Sequence, residues 1–143
     1  DTAHPCGFGP LVAPSDYMEM RYHIAMAMDE ALIRFDEVDA AFAAQFNRRY
    51  GQVEAIDCED ADIVFINTGT VTSTCRIVLQ DLRTRGEKVG ILKLKLFRPF
   101  PAEQIREKLK SAKKVAVVDR NFSFGASGIF AQEVRAALCN LPD

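Results

Sequence analysis

Clustered metal ligands are the first thing missing from this sequence. Its four cysteines, Cys6, Cys58, Cys75 and Cys139, are scattered, and no two have C-x-x-C spacing. Zinc and iron–sulfur sites need closely spaced thiolates, or thiolates with histidine. The only histidines, His4 and His23, have no ligand-like neighbours. No metal site or disulfide framework is therefore expected, and the thiols read as reduced, mostly small core residues. No apolar run approaches the roughly 20 residues that span a bilayer. No basic segment leads into an apolar one, as in a signal peptide. A cytoplasmic place without a membrane partner is expected. Walker and GxGxxG phosphate-binding patterns are absent. So is any spacing of Ser or Cys with His and an acid that suggests nucleophilic catalysis. The Lys and Arg residues are not interleaved with aromatics in a nucleic-acid-binding motif.

What is present suits one domain. The chain has 143 residues, and 48% of them are hydrophobic. A chain this long buries roughly two-thirds of its unfolded surface, enough for a core without covalent staples. Net charge is −2, but it is unevenly spread: residues 1–60 hold 4 Lys/Arg against 12 Asp/Glu, residues 61–143 hold 14 against 8. Two solvated faces account for this more simply than a charged partner does.

The chain opens on DTAHPCGFGP, with no initiator Met. Pro5, Pro10 and Pro14 disfavour helix at the residues before them. Residues 1–15 are read as a linker entering from a preceding domain. A long amphipathic helix is expected from about Asp16 to Tyr50. Asp16 and Glu19 resemble a capping box, and Gly51 is placed as the C-cap. Ile24, Met28, Ala31, Phe35, Val38, Phe42 and Phe46 form one apolar stripe. A helix of that length, about 50 Å, exceeds a small domain, so one end is expected to pack outside it. Next come a short strand at Gln52–Asp57, an apolar strand at Asp62–Gly69 and a helix at Ser73–Gly86 burying Cys75, Val78, Leu79 and Leu82. A strand at Lys88–Phe97, a helix at Ala102–Ala112 opened by Pro101, a strand at Lys113–Asp119 and a last helix using Ile129 to Leu138 complete the order. Alternating strands and helices imply an α/β fold with a mostly parallel sheet covered on both faces.

Ligands of such sheets gather at the carboxyl ends of the strands. Three loops fall there. The Thr68–Thr74 run offers hydroxyls and a helix N-terminus, with Thr70 the candidate contact. The same hydroxyls serve as ordinary caps and turns, which is the preferred reading. The Phe97–Pro101 loop carries Arg98, held rigidly by prolines, with Asp119 as a local carboxylate that could satisfy it. The third loop carries Arg120 and Asn121, followed by Gly125-Ala-Ser-Gly128, which resembles a phosphate nest.

Four stretches carry a family resemblance: GPLVAPSDYMEMRY, DADIVFINTGT, KVGILKLKLFRPFP and KKVAVVDRNFSFGASGIFAQEVRAAL. From about Gly9 to Leu138 the chain resembles the alpha subunit of pyruvate:ferredoxin oxidoreductase, and more broadly the 2-oxoacid:ferredoxin oxidoreductases. FRPFP and the DR-N-x-SFG run are the most specific pieces. The resemblance implies the domain that follows the pyrimidine-binding domain, a counterpart of the transketolase C-terminal domain over residues 16–143. It implies a three-layer α/β/α sandwich with five strands in order 1-3-2-4-5, the first antiparallel. The chain stops at Leu141-Pro142-Asp143, so the fifth strand is expected to be missing. For the whole enzyme it implies thiamine diphosphate, Mg, iron–sulfur clusters, CoA as substrate and ferredoxin as electron acceptor, with other domains and subunits as partners. No GDG…N motif and no cluster cysteines stand in this chain. The resemblance therefore implies a structural and assembly role here, with no catalytic residue. An anion- or CoA-binding module at Thr70, Arg98, Arg120 and Asn121 is the alternative.

Overall fold

The computed structural model describes residues 2–5, 7, 9 and 11–139. The expectations for Cys6, Pro10 and the chain end at Leu141–Asp143, including a missing fifth strand, lie outside the described residues. Helix α1 (Pro14–Phe46) leads into β1 (Val53–Ile56), β2 (Ile63–Thr68), α2 (Val71–Thr84), β3 (Val89–Leu94), α3 (Ala102–Leu109), β4 (Lys114–Val117) and α4 (Ile129–Leu138). The sheet order is β1-β3-β2-β4. β1 runs antiparallel to β3, while β2 is parallel to β3 and β4. The first four strands thus stand in the expected order.

Both faces of the sheet are covered because alternate strand residues point to opposite sides. Val64 and Ile66 of β2 join Leu92, Leu94, Ile105 and Val134 on the side of α3 and α4. Ile63 and Phe65 pack with Val89, Ile91 and Leu79 on the side of α2. This is a three-layer α/β/α arrangement. In α2, Val78 is exposed, against expectation. Leu79 centres the buried stripe, and the adjacent position lies about 100° round the helix.

Gly90 sits where β3 passes under the β1–β2 connection. A Cβ there would lie 2.7 Å from the Asp57 carbonyl oxygen and 3.0 Å from the Cys58 Cα. Arg83 ties the same connection to β3, donating to the carbonyls of Val89 at 2.8 Å and Asp57 at 2.7 Å. It also pairs with Asp60 at 2.7 Å.

Helix α1 departs from expectation at both ends and along its length. Its N-cap is Ala13, without a side-chain cap bond. Pro14 stands in the first turn, where its missing N–H costs nothing. No Asp16–Glu19 capping box forms. The helix stops at Asn47, in the left-handed region at φ +50°, and the Asn47 N–H donates to the Ala43 carbonyl at 2.8 Å. Gly51 turns the chain later, at φ +67°. The apolar stripe is not a buried face: Ile24, Met28, Val38 and Phe46 are exposed, and the buried residue of the helix is Asp39.

Candidate functional site

β2 lies between β3 and β4, so successive connections leave the sheet in opposite directions. The carboxyl ends of β2 and β4 therefore flank a topological switch point, where open α/β sheets bind ligands. A cavity of about 400 Å³ occupies that place. One wall is the turn Thr68-Gly69-Thr70 with the start of α2. The other is Val118 to Asn121, with Phe130 below. Gly69 makes the turn at φ +61°, a conformation that costs glycine little. Thr68 Oγ1 donates to the Leu94 carbonyl at 2.9 Å. Thr70 flanks α2 but makes no side-chain cap bond. The first-turn hydroxyl that does engage is Thr72 Oγ1, donating to Asn67 Oδ1 at 2.7 Å. Both residues are buried, and Asn67 Nδ2 has no hydrogen-bond partner among the described residues.

The third loop closes on itself. Asp119 accepts from the Phe130 N–H at 2.9 Å and the Asn121 N–H at 3.1 Å, and also pairs with the Asn121 side-chain amide. Asn121 Oδ1 accepts from the Ile129 N–H at 2.7 Å. Two first-turn donors of α4 are thereby satisfied by this chain's own side chains. Gly128 permits the approach, since a Cβ there would fall 2.4 Å from Asp119 Oδ2. The nest expected at Gly125–Gly128 is thus a carboxylate cap, and its glycine makes room for Asp119 rather than for phosphate.

Arg98 stands apart from this cavity. Its guanidinium lies over the Phe97 ring, 4.2 Å from the centroid, donates to the Phe97 carbonyl at 2.9 Å and pairs with Glu133 of α4. Its carboxylate partner is Glu133, not Asp119. Phe97 in turn packs on Phe130, centroid to centroid 4.9 Å. Arg98 therefore braces the β3–α3 loop against α4. Of the four candidates, the fold brings Thr70, Arg120 and Asn121 to one cavity. Arg120 is exposed on its rim and makes no ion pair among the described residues. At the loop tip Phe122 and Phe124 are 65% and 96% exposed, their rings 6.3 Å apart edge to face.

A larger groove, about 840 Å³, lies on the other side of the Thr68–Gly69 turn. Phe35, Val38 and Phe42 of α1 form one wall; Tyr50, Glu54, Lys93 and Lys95 form much of the other. Asp39 holds the walls together. It accepts from the Tyr50 N–H at 2.8 Å, the Gly51 N–H at 3.1 Å and Arg49 Nε at 2.9 Å. The Tyr50 amide above all, then Arg49 and Gly51, keeps its carboxyl below the ordinary range against the opposing effect of burial. One turn earlier, Asp36 accepts from Gln52 Nε2 at 2.9 and 3.0 Å. Glu54 pairs with Lys95 at 2.8 Å and with Arg76. The Lys95 bond leads in lowering its carboxyl, with burial opposing. Sequence reasoning missed this groove. Its one signal was a pair of aspartates spaced three apart beside the apolar stripe, and their partners lie 10 to 16 residues away.

The family model for pyruvate:ferredoxin oxidoreductase core domain II matches residues 61–143, more than half of the chain. The chain belongs to that family. The matched segment runs from the end of the β1–β2 connection through the whole crest, including all four candidate residues. Among curated relatives of this family member, pyruvate synthase subunit PorA of Methanothermobacter thermautotrophicus is 40% identical over 138 residues, covering 96% of this chain and 36% of the relative. Ketoisovalerate oxidoreductase subunit VorA of Pyrococcus horikoshii is 43% identical over 141 residues, covering 98% and 36%. The chain thus spans about a third of the length of these relatives. Among solved structures, 2-oxoglutarate:ferredoxin oxidoreductase from Magnetococcus marinus, with 2-oxoglutarate, coenzyme A and succinyl-CoA bound, aligns with a TM-score of 0.59 at 25% identity. The alignment covers 90% of this chain and 19% of that one. No helix among the described residues is long and apolar enough to cross a membrane.

Proposed function

We propose that this chain is a structural and assembly domain, residues 16–143 behind a linker at 1–15, of a 2-oxoacid:ferredoxin oxidoreductase alpha subunit. The parent enzyme is a cytoplasmic complex that oxidatively decarboxylates a 2-oxoacid, pyruvate by preference, on thiamine diphosphate. It yields acyl-CoA and passes electrons through iron–sulfur clusters to ferredoxin. The described residues do not fit the metal-bound diphosphate or a cluster. Among the described residues no three His, Cys, Asp or Glu side chains come together as a ligand set, and Asp119 is committed to capping α4. No chemical step is assigned to this chain.

The observation that carries the reading is the exposed Phe122–Phe124 tip on an otherwise self-capped crest. Large aromatics left in water on a rigid loop suit a protein interface. The exposed apolar half of α1, from Tyr17 to Met28, offers a second contact with the rest of the enzyme. The purified chain, given pyruvate, thiamine diphosphate, CoA and ferredoxin, is expected to show no turnover. Turnover by the chain alone would sink the assembly reading. Phe122→Ser with Phe124→Ser is expected to weaken its association with the remaining subunits at least tenfold by sedimentation, with unchanged circular dichroism.

A second reading is supported by Arg120, which lies exposed beside the switch-point cavity and makes no ion pair among the described residues. There the crest takes an anionic ligand such as part of CoA. Calorimetric titration with CoA tests it: no heat, or heat unaffected by Arg120→Ala, rejects it.

A further inference from the structure

The groove between α1 and the β1–β3 edge has the size, floor and rim of a ligand site, and the assembly reading leaves it unused. Its volume, about 840 Å³, lies within the range of small-molecule pockets, roughly 300–1,000 Å³. Its floor is aromatic and aliphatic. The Tyr50 ring is half exposed and tilts against Phe42, 5.7 Å between centroids, and Leu94 lies beside them.

Charge selects the ligand class. Arg48, Arg49, Lys93 and Lys95 line the groove against Asp39 and Glu54. Both carboxylates are committed, Asp39 to Arg49 and two backbone N–H groups, Glu54 to Lys95 and Arg76. Arg48 and Lys93 make no ion pair among the described residues, although Lys93 stands opposite Glu54 in the β1–β3 ladder and its charge helps to lower that carboxyl. Arg48 instead lies over the Phe42 ring at 5.7 Å, and Lys95 over Tyr50 at 5.7 Å. A cation bound here would meet like charge, and a neutral apolar ligand would leave two lysine and arginine heads facing it. A planar group with a phosphate tail uses both features: the ring stacks on the aromatic floor, and the phosphates meet the unpaired cations.

We infer that this groove binds a nucleoside phosphate, the base on Tyr50 and Phe42 and the phosphates on Lys93 and Arg48. A free nucleotide and the nucleotide end of a larger cofactor offer the same chemistry. The inference stands on the groove and is independent of the assembly reading.

Isothermal calorimetry on the full chain, with ADP, adenosine, pyrophosphate and CoA as separate probes, tests it. ADP is expected to bind at least tenfold more tightly than adenosine or pyrophosphate, and more weakly as salt is raised. CoA binding more tightly than ADP identifies the larger cofactor as the source; the reverse order identifies the free nucleotide. Lys93→Glu and Arg48→Glu are each expected to weaken ADP about tenfold, the effect of one lost charge-assisted hydrogen bond. Tyr50→Leu weakens it too, while Tyr50→Phe restores binding. These positions are exposed or half-buried, and unchanged thermal unfolding shows that the variants fold. Absence of heat with both ADP and CoA overturns the inference. So does binding that survives Lys93→Glu but is lost in Arg120→Glu, which would place the ligand at the crest. Binding of pyrophosphate as tight as ADP also overturns it, since the floor would then contribute nothing.

Discussion

Asp39 is the residue on which the placement of α1 turns. A carboxyl whose value falls on folding stabilises the fold fully above its unfolded value, about 4. That contribution is lost as pH falls through the lower folded value. Hydrogen exchange at the Tyr50 and Gly51 amides is expected to be slow at pH 6, to stay protected down to about pH 4 and to lose its protection only as pH falls further. Asp39→Asn should lose that protection at pH 6 already. If the variant and the parent share one acid limb, Asp39 is not the clamp. Gly90 tests close packing in the same way. Its neighbours at 2.7 and 3.0 Å are backbone atoms, which cannot rotate aside. Gly90→Ala is expected to cost about 1–3 kcal/mol in urea unfolding. The cysteines differ by burial. Cys58 is buried, its Sγ donates to the Ile91 carbonyl at 3.2 Å, and desolvation pushes its thiol up. Cys139 is exposed. Maleimide should label Cys139 within minutes and Cys58 only on unfolding, as peptide mass spectrometry would show. Equal labelling rates would contradict the burial of Cys58.

At the level of elements, β2 to β4, α3 and α4 fall within the spans read from periodicity, while α2 (Val71–Thr84) starts two residues before the expected Ser73–Gly86. Their apolar residues face a core that is contiguous with them, so local pattern and tertiary burial agree. The misreadings occur where the partner is distant. Val78 fits the same spacing as its buried neighbours and points into solvent. The α1 stripe has helical spacing, yet what holds it within the described chain lies near its C-terminal end, where Phe42 meets Tyr50 and the adjacent Asp36 and Asp39 bind residues 49 to 52. The α4 cap shows the same limit. The glycines at 125 and 128 were visible, but their purpose needed Asp119 brought next to Gly128. Asp119→Ala is expected to cost about 1 kcal/mol, the usual value of a lost N-cap, and to speed exchange at the Phe130 amide. An unaltered Phe130 amide would remove Asp119 from the cap.

For the whole molecule, the question is what meets the surfaces that this chain leaves bare. From Tyr17 to Met28 α1 carries exposed Tyr17, Met18, Tyr22, Ile24, Met26 and Met28. Under the assembly proposal, amides of Met18–Met28 exchange quickly in the chain alone and at least tenfold more slowly in the assembled enzyme. Equal exchange in both would show that this half of the helix is not an interface.

Sequence alone determined the α/β class, the strand and helix order from β2 onward and the family. Each rests on local information: periodicity, turn residues and short motifs of neighbouring residues. It also named the crest loops, because strand ends are legible once strands are. Tertiary structure decided which crest residues meet, that Arg98 braces α4, that Asp119 fills the place read as a phosphate nest, and that Asp39 joins α1 to the sheet edge. Those outcomes depend on hydrogen bonds between residues 10 to 35 positions apart, and no spacing rule encodes such pairs. The basic, aromatic groove exists for the same reason: its walls come from α1 and from the β1–β3 edge, which only the folded chain brings together.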